Sequence, residues 1–388
     1  MKSNTRSTLF TKPVNLYYML LISTASLSLL GLIMVFSASS IYSLESKGAT
    51  YAVVLRQILF LIISIPLAWV LSRFSLARWK LIARSGVIIS IALLILVQVI
   101  GKSVNGNRNW IDLGIIDFQP SEIAKFLMIL WAGFILAKRE RAGAIATNVI
   151  TLIAPAFALC IALILAGRDA GTAVVFALIL AGLLWVSGVR LGVFAWLTTL
   201  GFAGIAALIM AAPYRMARFA VFLNPFAEEQ YKNVGWQPAH SLLGLASGGL
   251  FGVGLGASRQ KWGNLSQAHT DFIFSVIGEE LGLFGTLATI ALLSLLLFSI
   301  FKIALRAKDP MVRAASAGIG CWIAIQTILN IGSTLSLIPV VGVTLPLVSY
   351  GGSALIATYM GIGFVIGAAR RDPAIFDELK KSEHTWLR

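Results

Sequence analysis

The chain has 388 residues, of which 58% are hydrophobic and 12% charged, with a formal net charge of +15. A soluble protein of this length needs far more polar surface, so the composition excludes that class and indicates a polytopic membrane protein. The basic excess is no sign of a nucleic-acid partner, because Lys and Arg collect in short segments between apolar runs.

Apolar runs of about 20 residues recur, each long enough to cross ~30 Å of hydrocarbon as a helix. They predict an all-α polytopic fold with about ten transmembrane helices. The spans fall near 16–37, 51–71, 83–101, 121–137, 148–166, 171–187, 191–212, 271–301, 314–337 and 354–369. Residues 1–388 form one integral-membrane unit, with a short N-terminal segment at 1–15, a long loop at 213–270 between spans 7 and 8, and a charged tail at 370–388. Counting alternate segments puts 20 of the 31 Lys and Arg on one side but only 6 of the 16 acids. The positive-inside rule makes that side cytoplasmic and both termini with it. The long segments 102–120, 213–270 and 338–353 then lie on the outer face, where function is expected. Cys160 and Cys321 fall inside apolar runs and read as packing residues.

In 105–126, NGNRNWIDLGIIDFQPSEIAKF, Pro120 and Glu122 make a good helix start. Glu122 and Lys125 share a helix face and can pair, whether for structure or for function. In GRDAGT, 167–172, Asp169 is either a functional carboxylate or a cap for the sixth span. The outer segment brings Arg215, Arg218, Arg259 and Lys261 to the interface together with five glycines in 248–256. Such cations suit a phosphate or pyrophosphate, but they equally suit anionic lipid headgroups.

AHTDFIFSVIGEELG, 268–282, places Asp271 at the mouth of the eighth span and Glu279 and Glu280 roughly 12 Å deeper. Asp271 reads either as a helix-start carboxylate or as a general base at the membrane surface. Acid–base chemistry, cation binding and structural pairing all remain open for the two glutamates. In 336–356, SLIPVVGVTLPLVSYGGSALI, two prolines and three glycines interrupt an apolar stretch. Broken backbone at membrane depth survives only where protein or a wet cavity covers it, so this segment is expected to line a cavity on the outer side.

SGGLFGVGLGASRQK, AHTDFIFSVIGEELG, QPSEIAK and GVTLPLVSYGGS together resemble the SEDS family (shape, elongation, division, sporulation) over nearly the whole chain. GLIMVFSAS in the first span is more similar to the division branch than to the elongation branch. The resemblance implies a peptidoglycan glycosyltransferase that polymerises lipid II, with Asp271 as the catalytic carboxylate. It implies that Glu122, Lys125, Asp169, Ser349, Gly351, Gly352 and Ser353 line the substrate cavity, while Glu279 and Glu280 are not catalytic. It also implies a class B penicillin-binding protein of the FtsI type and other division-site membrane proteins as partners, at the division septum. No tightly bound cofactor is expected; a divalent cation such as Mg2+ or Mn2+ could assist the pyrophosphate, although no DxD-type cluster is present to hold it.

Four positions in three motifs depart from the family pattern. Asn109 stands where an Arg is usual, Arg168 replaces a Pro, and Ser266–Gln267 replaces Pro–Glu. A lipid II flippase and a non-catalytic scaffold for other wall enzymes are the competing readings. The flippase would suit mid-membrane carboxylates and broken helices, but the sequence shows no paired halves.

Overall fold

The computed structural model describes residues 12–104, 106–112, 114, 117–141, 147–189, 192, 194–196, 199, 201, 203–204, 221 and 224–386. α1 spans Pro13–Lys47, α2 Ala52–Ser72 and α3 Leu76–Ile100. Pro13 fits the first turn of α1, where its missing N–H is no loss, and Gly48 closes the helix at φ +72° with its N–H on Leu44 O. After α3 come three short strands, β1 (Lys102–Val104), β2 (Asn107–Asp112) and β3 (Asp117–Phe118), paired antiparallel in the order β1–β2–β3. This small sheet departs from the all-helical expectation. Its strands are only two to six residues long, with Gly106 at φ +83° and Gly114 at φ +85° beside them, a pattern that period-3.6 counting passes over.

α4 (Pro120–Arg141), α5 (Thr147–Ala166) and α6 (Ala170–Val186) follow, then the short α7 (Glu228–Tyr231) and α8 (Trp236–Ser247) inside the long segment 213–270. α9 (Ile273–Arg306), α10 (Pro310–Thr334), α11 (Gly352–Arg370) and α12 (Pro373–Trp386) complete the chain. Among the described residues, seven helices are long and apolar enough to span a membrane, and α5 and α6 supply two shorter apolar stretches. Most of the expected seventh span, 191–212, lies outside the described residues.

Burial sorts the bundle. α11, at 78% of its most apolar window, and α4, at 72%, form the centre, whereas α3, at 28%, turns most of its surface outward. Trp79 of α3 packs edge-on against Phe364 of α11 at 4.9 Å and Phe126 of α4 at 6.1 Å, knotting the three helices together. Gly363 and Gly367 let α11 lie directly on α2: a Cβ at either would meet a backbone oxygen at 2.7 Å, of Ala68 and Ser72 respectively.

α9 is two helices merged across a break at Gly282, φ +67°. Backbone of the 249–254 loop occupies the gap. Val253 and Gly254 donate to the carbonyls of Glu279 and Glu280, and Leu283 and Phe284 donate to those of Gly249 and Leu250. The loop thus supplies the partners that the broken helix lacks. A Cβ on Gly282 would stand 2.4 Å from Gly252 N in addition to the unfavourable φ. Gly282→Ala is therefore expected to cost about 1–3 kcal/mol, read as a lowered midpoint in thermal unfolding of the detergent-solubilised protein.

Candidate functional site

The carboxylates fall into two kinds. Glu279 accepts from the Ser258 hydroxyl, from Arg259 N at 2.9 Å and from Gln260 N at 3.4 Å. Glu280 accepts from the Ser37 hydroxyl at 2.6 and 2.7 Å and from Ser258 N at 3.3 Å, with Lys261 Nζ at 3.8 Å. Both are buried and serve structural pairing: they dock the 256–261 loop onto α9 and α1. Lys261, one of the expected phosphate contacts, is buried between Glu280 and the Gly256 carbonyl, so its charge is already matched. Arg259 is exposed. Arg215 and Arg218 lie outside the described residues.

Glu122 and Lys125 do pair, Oε1 to Nζ at 2.7 Å, with both side chains buried. Lys125 Nζ also lies 5.5 Å from the centroid of the Trp322 ring. Glu122 Oε2 is buried without a hydrogen-bond partner, as are Ser121 Oγ and Asn109 Oδ1. Asn109, Ser121 and Asp169 line one small pocket together with Gln98 and Arg108.

Asp169 caps α6, accepting from Thr172 N at 3.0 Å and from the Thr172 hydroxyl at 2.8 Å. It also accepts from Asn109 Nδ2 at 2.8 Å. The departure at Asn109 thus keeps a donor on Asp169, and the sheet holds it there through Arg108 N to Gly167 O at 2.9 Å. Arg168 has φ +63°, a conformation closed to proline, so that departure goes with the local backbone.

Asp271 is different. α9 begins at Ile273 with Phe272 as its N-cap, so Asp271 lies one residue outside the cap, and no side chain caps the helix. Among the described residues no group donates to the Asp271 carboxylate. Burial pushes it up to about 6. Its backbone is held tightly: Asn330 Nδ2 donates to Asp271 O at 2.8 Å and to Val343 O at 2.7 Å. Motif reading passes over Asn330, although an Asn inside an apolar span is the signal that marks such a residue.

The expected cavity segment is irregular over 338–351, as its prolines and glycines require. Ser349 Oγ donates to Thr270 O at 2.6 Å and accepts from Leu345 N at 2.8 Å, while Tyr350 N donates to His269 O at 2.9 Å. Ser353 Oγ accepts from Gln119 N at 2.9 Å, tying α11 to the start of α4. Gly351 is in extended backbone, and a Cβ on Gly352 would sit 2.1 Å from the Phe60 ring. A Cβ on Gly342 would lie 3.6 Å from Asp271 Oδ2, and one on Gly171 would lie 2.3 Å from Val341 O. Val341–Gly342 is therefore the bridge between the Asp271 carboxylate and the turn that carries Asp169. These serines and glycines act as staples of one wall. Among the described residues, no three His, Cys, Asp or Glu side chains cluster to hold a metal ion.

A family model described as cell cycle protein (FtsW, RodA, SpoVE) matches residues 18–373. The chain belongs to this cell cycle protein family. The resemblance drawn from the motifs is thereby confirmed. Among curated proteins, a probable peptidoglycan glycosyltransferase FtsW of Coxiella burnetii is 39% identical over 357 residues, covering 90% of this chain and 95% of that one. Among solved structures, a chain from work on structural coordination of polymerization and crosslinking by a peptidoglycan synthase complex superposes with TM-score 0.76. It is 28% identical and covers 92% of this chain and 98% of its own. The rod shape determining protein RodA of Thermus thermophilus gives TM-score 0.67 at 29% identity, covering 91% and 96%.

Removing Glu122 alone strands a buried ammonium, so Glu122→Leu is expected to cost about 3–5 kcal/mol. The double variant Glu122→Leu/Lys125→Met should recover most of that loss, because the uncompensated charge goes with it. A double-mutant cycle in thermal unfolding checks this.

Proposed function

We infer that this protein is a peptidoglycan glycosyltransferase of the division branch, polymerising lipid II into glycan strands at the outer face of the cytoplasmic membrane. The observation that carries this reading is the Asp271 carboxylate, without a donor among the described residues and raised towards neutrality, facing the broken segment at Gly342 in a chain of this family.

The reaction joins the C4 hydroxyl oxygen of a lipid II acceptor to the anomeric carbon of the growing glycan. The bond from that carbon to the carrier's phosphate oxygen breaks, and undecaprenyl pyrophosphate leaves with the electron pair. Asp271 takes the hydroxyl proton. A carboxyl raised to about 6 remains mostly ionised at neutral pH, yet it is a stronger base than an ordinary aspartate. Asn330 and Ser349 keep its stretch of backbone from shifting during the transfer. Charge on the leaving pyrophosphate falls to exposed cations such as Arg259, with Arg215 and Arg218 as further candidates. Lys125 and Lys261 are matched by carboxylates. Any divalent cation would arrive with the pyrophosphate rather than be held by the described residues.

The same reading puts both termini in the cytoplasm and the chain at the septum. Its partners would be a class B penicillin-binding protein of the FtsI type and other division-site membrane proteins.

Purified protein given labelled lipid II, with and without its transpeptidase partner, should yield glycan ladders, and Asp271→Asn should yield none. Ladders from Asp271→Asn would remove Asp271 from the chemistry; lipid II leaflet exchange without ladders would favour the flippase. The pH profile of kcat/KM should fall on the acid side as pH drops through about 6, where the base becomes protonated. Because this folded pKa lies above the unfolded one, the ionised carboxylate costs stability above about pH 6 and the cost vanishes as pH falls. Asp271→Asn should therefore melt at an equal or higher temperature than wild type at about pH 8.

A further inference from the structure

Beside Asp271, three aromatic rings from distant stretches of chain meet at the outer end of the bundle. Tyr42, near the outer end of α1, stacks on His269 with centroids 5.0 Å apart and planes at 26°. His269 leans on Tyr350 at 5.6 Å and 52°. The backbone of His269 and Tyr350 is joined by the Tyr350 N–H, and His269 is two residues from Asp271. Arg56 of α2, Asp117 of β3 and Tyr42 all act on the Tyr350 phenol electrostatically.

The three rings differ in access. His269 is buried, and that burial holds its imidazole down to about 4, so it stays neutral at working pH. Tyr42 is 49% exposed even though one ring face is covered by His269. The cluster therefore offers a rigid aromatic surface with polar groups at its rim, next to a carboxylate that must meet a sugar hydroxyl. A pyranose ring has complementary chemistry: one face of C–H bonds that rests on an aromatic ring, and equatorial hydroxyls that reach polar rim groups.

We propose that Tyr42, backed by His269 and Tyr350, is a stacking platform for a sugar ring of the lipid-linked acceptor. The assignment rests on the glycosyltransferase reading above. Tyr42 is then a positioning residue, because by seating the ring it sets how the acceptor hydroxyl approaches Asp271. An exposed tyrosine that merely marks the membrane–water boundary would have no such influence.

The test uses the full chain in phospholipid nanodiscs, in an Asp271→Asn background that blocks turnover, with fluorescent lipid II as probe. Tyr42→Leu should weaken binding about tenfold, whereas Tyr42→Phe and Tyr42→Trp, which keep a ring face, should bind like the parent. With Asp271 intact, Tyr42→Leu should raise KM for lipid II and also lower kcat, because a loosely seated acceptor presents its hydroxyl to Asp271 less often. Unchanged binding in Tyr42→Leu, or equal losses in Tyr42→Leu and Tyr42→Phe, would overturn the platform and leave the enzyme reading standing. Failure of the parent to bind lipid II, together with no polymerisation by wild type, would overturn the glycosyltransferase reading and the platform with it.

Discussion

Inside hydrocarbon there is no water to receive a stray amide, so every stretch of backbone that leaves a helix must be partnered by protein. This chain breaks regular structure at 249–261 and at 338–351, both packed against the apolar helices, and each break has its own set of partners. At the first, Glu279 and Glu280 accept from the loop's amides, and the loop in turn feeds the gap at Gly282. At the second, Ser349, Asn330 and Ser353 hold the segment and its neighbours against the Asp271 stretch and the start of α4. Glu279, Glu280, Asn330, Ser349 and Ser353 are buried in the bundle because the irregular walls need them.

That division of labour explains why Asp271 stands apart. Glu122, Asp169, Glu279 and Glu280 all have donors within the protein, so each is committed to holding something in place. Asp271 has its backbone fixed and its carboxylate without a donor among the described residues, the arrangement suited to a group that must change protonation without the wall collapsing. Preorganisation of this kind places the desolvation in the fold, before substrate arrives.

Much of this is legible in the sequence. Apolar runs of the right length locate the helices, and Pro120 with Glu122 marks the start of α4 by ordinary helix-start rules. The prolines and glycines of 336–356 foretell an irregular wall, and the spacing of Glu122 and Lys125 foretells their pair. Three things escape such a reading. The sheet at 102–118 is too short for a periodic signal, and the part of Lys261 depends on which carboxylate the folded loop brings to it. The meeting of Tyr42, His269 and Tyr350 joins residues separated by most of the chain, and spacing rules see only neighbours.

The turn before α6 has a consequence for inheritance. Asn109 and Arg168 look like two unrelated lapses from the family pattern, yet they flank a single knot: Asn109 holds Asp169, and Arg168 bends the chain that presents it. A proline restored at 168 would have to flip this turn, and flipping it would pull Asp169 from the amide that now supports it. Both departures bear on the same Asp169, so an exchange at either position is felt where the small sheet meets the start of α6.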